Sequence, residues 1–188
     1  ELGLVGSEMC IRDRHLMPVF AEAMQLLQAR HTDLHFVIPA ANAERYQQIE
    51  AVLQSTALPV SLMRGQGREV MRCGDAIMIA SGTATLEAML LRKPMVISYR
   101  MASLSWTILS RLVKTPYVGL PNVLAGEEVV PELLQHHATA SQLADAVSRV
   151  LEGDGDRQVR RFTELAGLIG GNFAERSIDA LLPLVEGR

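Results

Sequence analysis

The sequence lacks the signatures of several common classes of protein. It has 2 cysteines among 188 residues, too few for a disulfide framework or a cysteine-rich zinc site. It contains neither a GxGxxG dinucleotide fingerprint nor a GxxxxGK[ST] phosphate loop, which disfavours hydride transfer and ATP hydrolysis. No run of about eighteen apolar residues is present to span a bilayer. A formal net charge of −3 disfavours a general nucleic-acid binder, because such a protein needs a basic face.

The composition that remains is that of one ordinary globular domain. Hydrophobic residues make up 48% of the chain and charged residues 21%, which is enough apolar material for a core. With few cysteines and no convincing secretory signal, the expected compartment is the reducing cytoplasm. Cys73 has no neighbouring base in the sequence and is expected to be a small buried apolar residue.

Residues 1–14 (ELGLVGSEMCIRDR) differ from the rest because they show neither helical nor strand periodicity. They resemble translated sequencing-adapter sequence, and we predict a non-native head that takes no part in the fold. The alternative is a short first strand over residues 2–5 that enters a turn at Gly6 and Ser7. On the first interpretation, the domain occupies residues 15–188.

Helical and strand patterns alternate along the rest of the chain. Strands are predicted over residues 34–39, 60–63, 75–80 and 95–99. Helices are predicted over residues 18–29, 43–53, 68–73, 84–91, 104–113, 127–134, 141–151 and from 157 to the end. The alternation predicts βαβ units, and therefore an α/β fold in which a parallel sheet carries helices on both faces.

The segment IASGTATLE, residues 79–87, joins a buried strand to a helix through a glycine turn. The backbone N–H groups and the dipole of such a helix start can bind phosphate. Gly82 leaves room for a diphosphate, Thr83 and Thr85 can add hydroxyl donors, and Glu87 can accept two ribose hydroxyls. The alternative is a capping box with Thr83 as N-cap, and the motif alone supports both interpretations equally.

Two further loops contain candidate ligand contacts. In RGQGRE, residues 64–69, two glycines let the backbone approach a flat base, although a plain turn is favoured when this loop is taken alone. In LPNVLAG, residues 120–126, Asn122 offers both a donor and acceptors from one side chain. An Asx-type turn explains Asn122 equally well.

Taken together, these segments resemble the lipid-A-disaccharide synthase family. The resemblance is carried by SGTATLEAML, PMVISYRM and VKTPYVGLPNVLAGEEVVPELLQ, in that order, and it covers residue 16 to the C-terminus. It implies a GT-B glycosyltransferase with two Rossmann-like domains, in which this chain is the carboxyl-terminal, UDP-sugar-binding half. The implied hexosyltransferase joins UDP-2,3-diacylglucosamine to 2,3-diacylglucosamine 1-phosphate and releases UDP. The missing amino-terminal domain would supply the catalytic acid residue, so we expect this chain alone to be inactive.

The same resemblance implies a set of donor-binding residues. Gln66 and Gly67 would face uracil, Glu87 would hold the ribose, and Asn122 would lie near the diphosphate or the donor sugar. The residues implied to face the diphosphate are Gly82, Thr83, Ala84 and Thr85. No metal or other cofactor is expected, since GT-B enzymes stabilise the leaving group with helix dipoles and cationic side chains.

One departure from the family pattern and one ambiguity accompany these roles. The family has a Gly-Ser-Arg phosphate loop, whereas this chain reads Gly6-Ser7-Glu8. Arg68 and Arg100 are the candidates for neutralising the departing UDP, and the slightly favoured alternative is that both are solvated surface arginines.

Residues 101–113 (MASLSWTILSRLV) have the composition of a helix that lies in a membrane interface. Because the implied substrates are acylated, the implied location is peripheral on the inner membrane. Packing on the sheet or on the missing half explains this segment at least as well. Other functions left open are a different GT-B UDP-GlcNAc transferase or epimerase, against which PYVGLPNVLAG argues, and a non-catalytic nucleotide-binding module.

Overall fold

A computed structural model of the chain describes residues 2–6, 13–80, 82–100 and 116–169. Within these ranges, a 6-stranded parallel sheet has the order β3-β2-β1-β4-β5-β6. The strands are β1 Leu2–Gly6, β2 Leu34–Ala40, β3 Val60–Arg64, β4 Ala76–Ala80, β5 Met95–Tyr99 and β6 Glu132–Leu134. The order of the strands reverses between β1 and β4, and this arrangement opens a crevice beyond their carboxyl ends.

Helices cover both faces of the sheet, as predicted. They are α1 Asp13–Arg30, α2 Ala43–Leu53, α3 Gly67–Cys73, α4 Thr83–Leu90, α5 Leu120–Ala125, α6 Ala140–Arg149 and α7 Gly155–Ile169. A short 3-10 turn precedes α6, and a π-helical turn that kinks at Gly153 joins α6 to α7. Among the described residues, no helix is both long enough and apolar enough to cross a bilayer.

Strand β4 shows how the sheet separates two cores. Ala76 and Met78 face one core, which is closed by α1, α2 and α6. Ile77 and Ile79 face the other core, which is closed by α3, α4 and α7. All four side chains are buried, which confirms the prediction that the almost entirely apolar run of this strand is covered on both faces.

The amino-terminal segment contributes to the fold, so its exclusion was wrong. Strand β1 lies in the middle of the sheet, where Val5 pairs with Val37 of β2 and with Ile77 of β4. Helix α1 begins inside the same segment, at Asp13, so Pro18 lies within this helix and does not start it. The alternative of a first strand is therefore the structure observed. That the segment is of foreign origin remains a prediction.

The other differences lie between β5 and α6, and at the end of α3. Residues 120–125 form helix α5 where a loop was predicted, and the helix predicted over residues 127–134 is replaced by the 3-residue strand β6. A proline in its first turn and Gly126 in the left-handed region after its last residue are the usual boundaries of a helix such as α5. Cys73 is exposed at the end of α3 and is not buried. The helix predicted over residues 104–113 lies outside the described residues.

Candidate functional site

A cleft of about 310 Å³ lies between the starts of α3 and α4. Each of these helices follows the carboxyl end of a strand, which is the edge where parallel α/β sheets bind ligands. The cleft is lined by Gln66, Gly67, Arg68, Glu69, Met71, Ala84 and Glu87. The structure thus brings together residues from two separate predicted motifs, the RGQGRE loop and the helix start after β4.

The first wall of the cleft is a tight turn that leads from β3 into α3. Gly65 and Gln66 are both left-handed, with φ values of +66° and +59°. The N–H of Gly65 donates to the carbonyl of Ala40 at 2.8 Å and so fixes the turn to the end of β2. A non-glycine residue in this backbone region carries strain of about 1 kcal/mol or more. The strained, exposed Gln66 therefore stands at the mouth of the cleft.

The second wall is the start of α4. Its N-cap is Gly82, with φ +151° and no side-chain cap, so the alternative interpretation, a capping box with Thr83 as N-cap, is not the structure observed. A Cβ on Gly82 would meet nothing within 4 Å, which shows that the space before the helix is open. The first N–H groups of a helix have no partner inside it. Thr83 is exposed beside these N–H groups, so this helix start is accessible to an anion.

Thr85 does not supply the hydroxyl donor expected of it. Its side chain is fully buried, and its Oγ1 donates to the carbonyl of Gly82 at 2.7 Å. The backbone N–H of Thr85 reaches the same carbonyl at 3.1 Å. Thr85 therefore holds the glycine turn in place from inside the protein.

Arg68 and Glu87 face each other across the cleft. Arg68 Nε lies 3.6 Å from Glu87 Oε1, and the two side chains are 66% and 42% exposed. Arg68 is thus the charged partner of the predicted ribose-binding carboxylate. Arg100 is exposed directly after β5 and lies outside the residues that line the cleft.

Asn122 is buried inside the protein and not at the cleft. Its Nδ2 donates to the carbonyl of Val130 at 2.8 Å and to Glu132 Oε1 at 2.7 Å. Its Oδ1 accepts from the N–H groups of Val129 and Val130 at 2.8 and 2.9 Å. All four hydrogen-bonding positions of the amide are used. Asn122 therefore has no free group for a diphosphate or a sugar, and it acts in this structure as an internal brace.

Two residues near these motifs were missed in the sequence. Met71 lines the cleft, and its spacing of four from Gly67 on a helix could have indicated this. Glu132 accepts from the N–H groups of Val118 and Gly119 at 2.8 and 2.9 Å as well as from Asn122. Nothing in the local pattern of β6 indicates that role, because the three donors come from another part of the chain.

Comparison with known proteins gives the family. Residues 4–180 match the family model described as Lipid-A-disaccharide synthetase. The chain belongs to the lipid-A-disaccharide synthase family. It is 45% identical to a lipid-A-disaccharide synthase from Pseudomonas putida (strain W619) over 170 residues, covering 90% of this chain and 45% of the relative. It is 52% identical to one from Saccharophagus degradans over 145 residues, covering 77% of this chain and 37% of the relative. The chain thus spans less than half the length of these curated relatives.

Solved structures confirm the fold class. The chain resembles a Staphylococcus aureus MnaA–UDP co-structure with a TM-score of 0.65 and 14% identity, covering 100% of this chain and 47% of that one. It also resembles the C-terminal CMP-Kdo binding domain of WaaA from Acinetobacter baumannii, with a TM-score of 0.59, 12% identity and 88% coverage of both chains. At these identities the likeness concerns the Rossmann-like fold of GT-B proteins.

Proposed function

We propose that this chain provides the UDP-sugar-binding domain of a lipid A disaccharide-forming glycosyltransferase. The reaction joins UDP-2,3-diacylglucosamine to 2,3-diacylglucosamine 1-phosphate and releases UDP. The observation that carries the proposal is the cleft in which Glu87 and the Gln66–Gly67 turn meet, beside the open start of α4. Membership of the family supplies the substrates, and the length of the relatives supports a second domain that carries the acceptor site.

The three parts of UDP match three parts of this site. The uracil edge would pair with main-chain groups of the turn at Gln66 and Gly67, where the glycine lets the base approach closely. Glu87, with an exposed carboxylate, would accept the two ribose hydroxyls. The diphosphate would lie before α4, against the N–H groups of Thr83 and Ala84, in the space that Gly82 leaves open.

The chemistry divides between this chain and the rest of the enzyme. Transfer to the acceptor hydroxyl needs a general base, and it needs stabilisation of the negative charge that develops on the departing UDP. Helix α4 supplies the second requirement through its N–H groups and its dipole. The base would come from the acceptor domain, so the described chain alone should bind the donor without catalysing transfer.

The acylated substrates place the reaction at a membrane surface. We propose that the enzyme works peripherally on the cytoplasmic side of the inner membrane. The composition of residues 101–113, which lie outside the described residues, supports this location, because they combine apolar residues and a tryptophan with flanking cations.

Calorimetric titration of the 188-residue chain with UDP and with ADP tests the nucleotide assignment. We expect UDP to bind at least about tenfold more tightly than ADP, since the turn at Gln66 fits one base edge. Glu87→Ala should weaken UDP binding by about tenfold or more, because two hydrogen bonds to a charged group are lost. The matched control is Glu22→Ala, an exposed glutamate on α1. Equal affinities for UDP and ADP would overturn the assignment, and so would equal affinities of the Glu87→Ala and Glu22→Ala variants for UDP.

A further inference from the structure

We propose that Arg68 is a positioning residue that neutralises and orients Glu87, and not a direct ligand of the diphosphate. This inference rests on the proposed function, because it assigns a role within the UDP site. The pair joins two helices, with Arg68 in the first turn of α3 and Glu87 one turn into α4. Its two atoms are 3.6 Å apart across the cleft.

The charges that line the cleft explain why Glu87 needs a partner. Apart from Arg68, the charged residues in the lining are Glu69 and Glu87. A carboxylate that holds the ribose also stands close to the two negative charges of a diphosphate, and like charges repel. A guanidinium beside Glu87 offsets that repulsion and leaves the carboxylate oxygens able to accept hydroxyl donors.

The position of the pair separates Arg68 from the diphosphate seat. Glu87 lies four residues after Thr83 on α4, a rise of roughly 6 Å along the helix axis. Arg68 pairs with a carboxylate whose backbone lies that far along the axis from the helix start, at the level expected for the ribose. Arg68 also leaves Glu87 oriented across the cleft toward α3, which is the side on which the base would lie.

A double-mutant cycle with two ligands tests this role. The variants are Arg68→Gln, Glu87→Gln and the double variant in the 188-residue chain, and the ligands are UDP and uridine, followed by NMR titration. Arg68→Gln should weaken the binding of uridine by about threefold, because an exposed ion pair is lost. It should weaken the binding of UDP by up to about tenfold, because the repulsion between Glu87 and the phosphates is then no longer offset. In the Glu87→Gln background, the same change should alter either affinity by less than about twofold. Arg68→Lys should restore most of the affinity, since it keeps the charge.

The controls separate the possible failures. Arg72→Gln, an exposed arginine at the other end of α3, should leave both affinities unchanged. If Arg68→Gln weakens the binding of UDP but not of uridine, and still does so in the Glu87→Gln background, then Arg68 is a diphosphate ligand and the inference is overturned. An Arg68→Gln variant that binds both ligands normally would overturn it as well, with the proposed function intact. If the unmodified chain binds neither UDP nor uridine, the proposed function itself fails.

Discussion

The side-chain amide of Asn122 donates to the carboxylate of Glu132 at 2.7 Å and thereby ties helix α5 to the edge strand β6. Glu132 also accepts from the N–H groups of Val118 and Gly119, so one carboxylate holds the chain that enters α5. A Cβ on Gly119 would lie 2.3 Å from Ile97 Cδ1, so this chain packs directly against β5. The residues that lead directly into α5 are thus held against both β5 and β6.

Removing the Asn122 amide should destabilise the protein strongly. Asn122→Ala removes the amide that pairs with the N–H groups of Val129 and Val130 and with the carbonyl of Val130, and it removes one of the two donors to Glu132 Oε1. We expect a loss of about 2–4 kcal/mol in the free energy of unfolding. Urea denaturation measures this loss. Val123→Ala, at the next and exposed position of α5, should change stability by less than about 0.5 kcal/mol. Equal effects of the two substitutions would contradict the bracing role of Asn122.

Gln158 should matter for stability although it lies far from the cleft. Its Oε1 accepts from the N–H of Met95 at 2.8 Å, and its Nε2 donates to the carbonyl of Met95 at 3.1 Å, so α7 holds the first residue of β5. Gln158 is buried, and Gln158→Ala should cost about 1–3 kcal/mol. Gln25→Ala on the exposed side of α1 is the control and should have little effect. Thermal melting of both variants decides the point.

Gly82 should be needed both for the backbone conformation of the turn and for UDP binding. Its φ of +151° is costly for any L side chain, so Gly82→Ala should lower stability by about 1 kcal/mol and weaken UDP binding. Gly167→Ala is the matched substitution, because Gly167 lies within α7 and a Cβ there meets nothing within 4 Å. In that helical position alanine should be neutral or should stabilise by up to about 1 kcal/mol. Stabilisation by Gly82→Ala would show that the turn is not strained as described.

The amino-terminal strand should be needed for folding. A chain that begins at Asp13 lacks β1, so β2 and β4 lose the strand between them and their backbone groups lose partners. We expect this truncated chain to lose its cooperative unfolding transition, measured by circular dichroism. The control keeps residues 1–6 and replaces residues 7–12 with a Gly/Ser linker, and it should unfold cooperatively. A truncated chain as stable as the full chain would show that β1 is dispensable.

The fold was predictable from sequence where the pattern is local. The apolar run of β4 predicted a strand and the periodicity of α2 predicted a helix. The structure confirms both, with α2 at the predicted bounds. Strand β6 was not predictable in this way, because a 3-residue strand has no period and forms only through its pairing with β5. Strand β1 was lost for a different reason, since its sequence was set aside as foreign.

The sequence predicted which motifs form the candidate site better than it predicted the role of each residue. The two glycine motifs indicated a ligand site, and the carboxyl edge of a parallel sheet explains why they meet. Thr85 and Asn122 were misjudged because the sequence shows that a side chain can donate or accept and does not show whether those bonds are already made inside the protein. The Arg68–Glu87 pair joins residues on different helices and became visible only when α3 and α4 were placed side by side.

A crystal structure of this chain with UDP bound would test the proposed UDP site most directly. We expect uracil at the turn of Gln66 and Gly67, the ribose hydroxyls on the carboxylate of Glu87, and the diphosphate before the start of α4 beside Gly82. UDP bound elsewhere on the chain, or in this cleft with its ribose away from Glu87, would show that the proposed site is wrong.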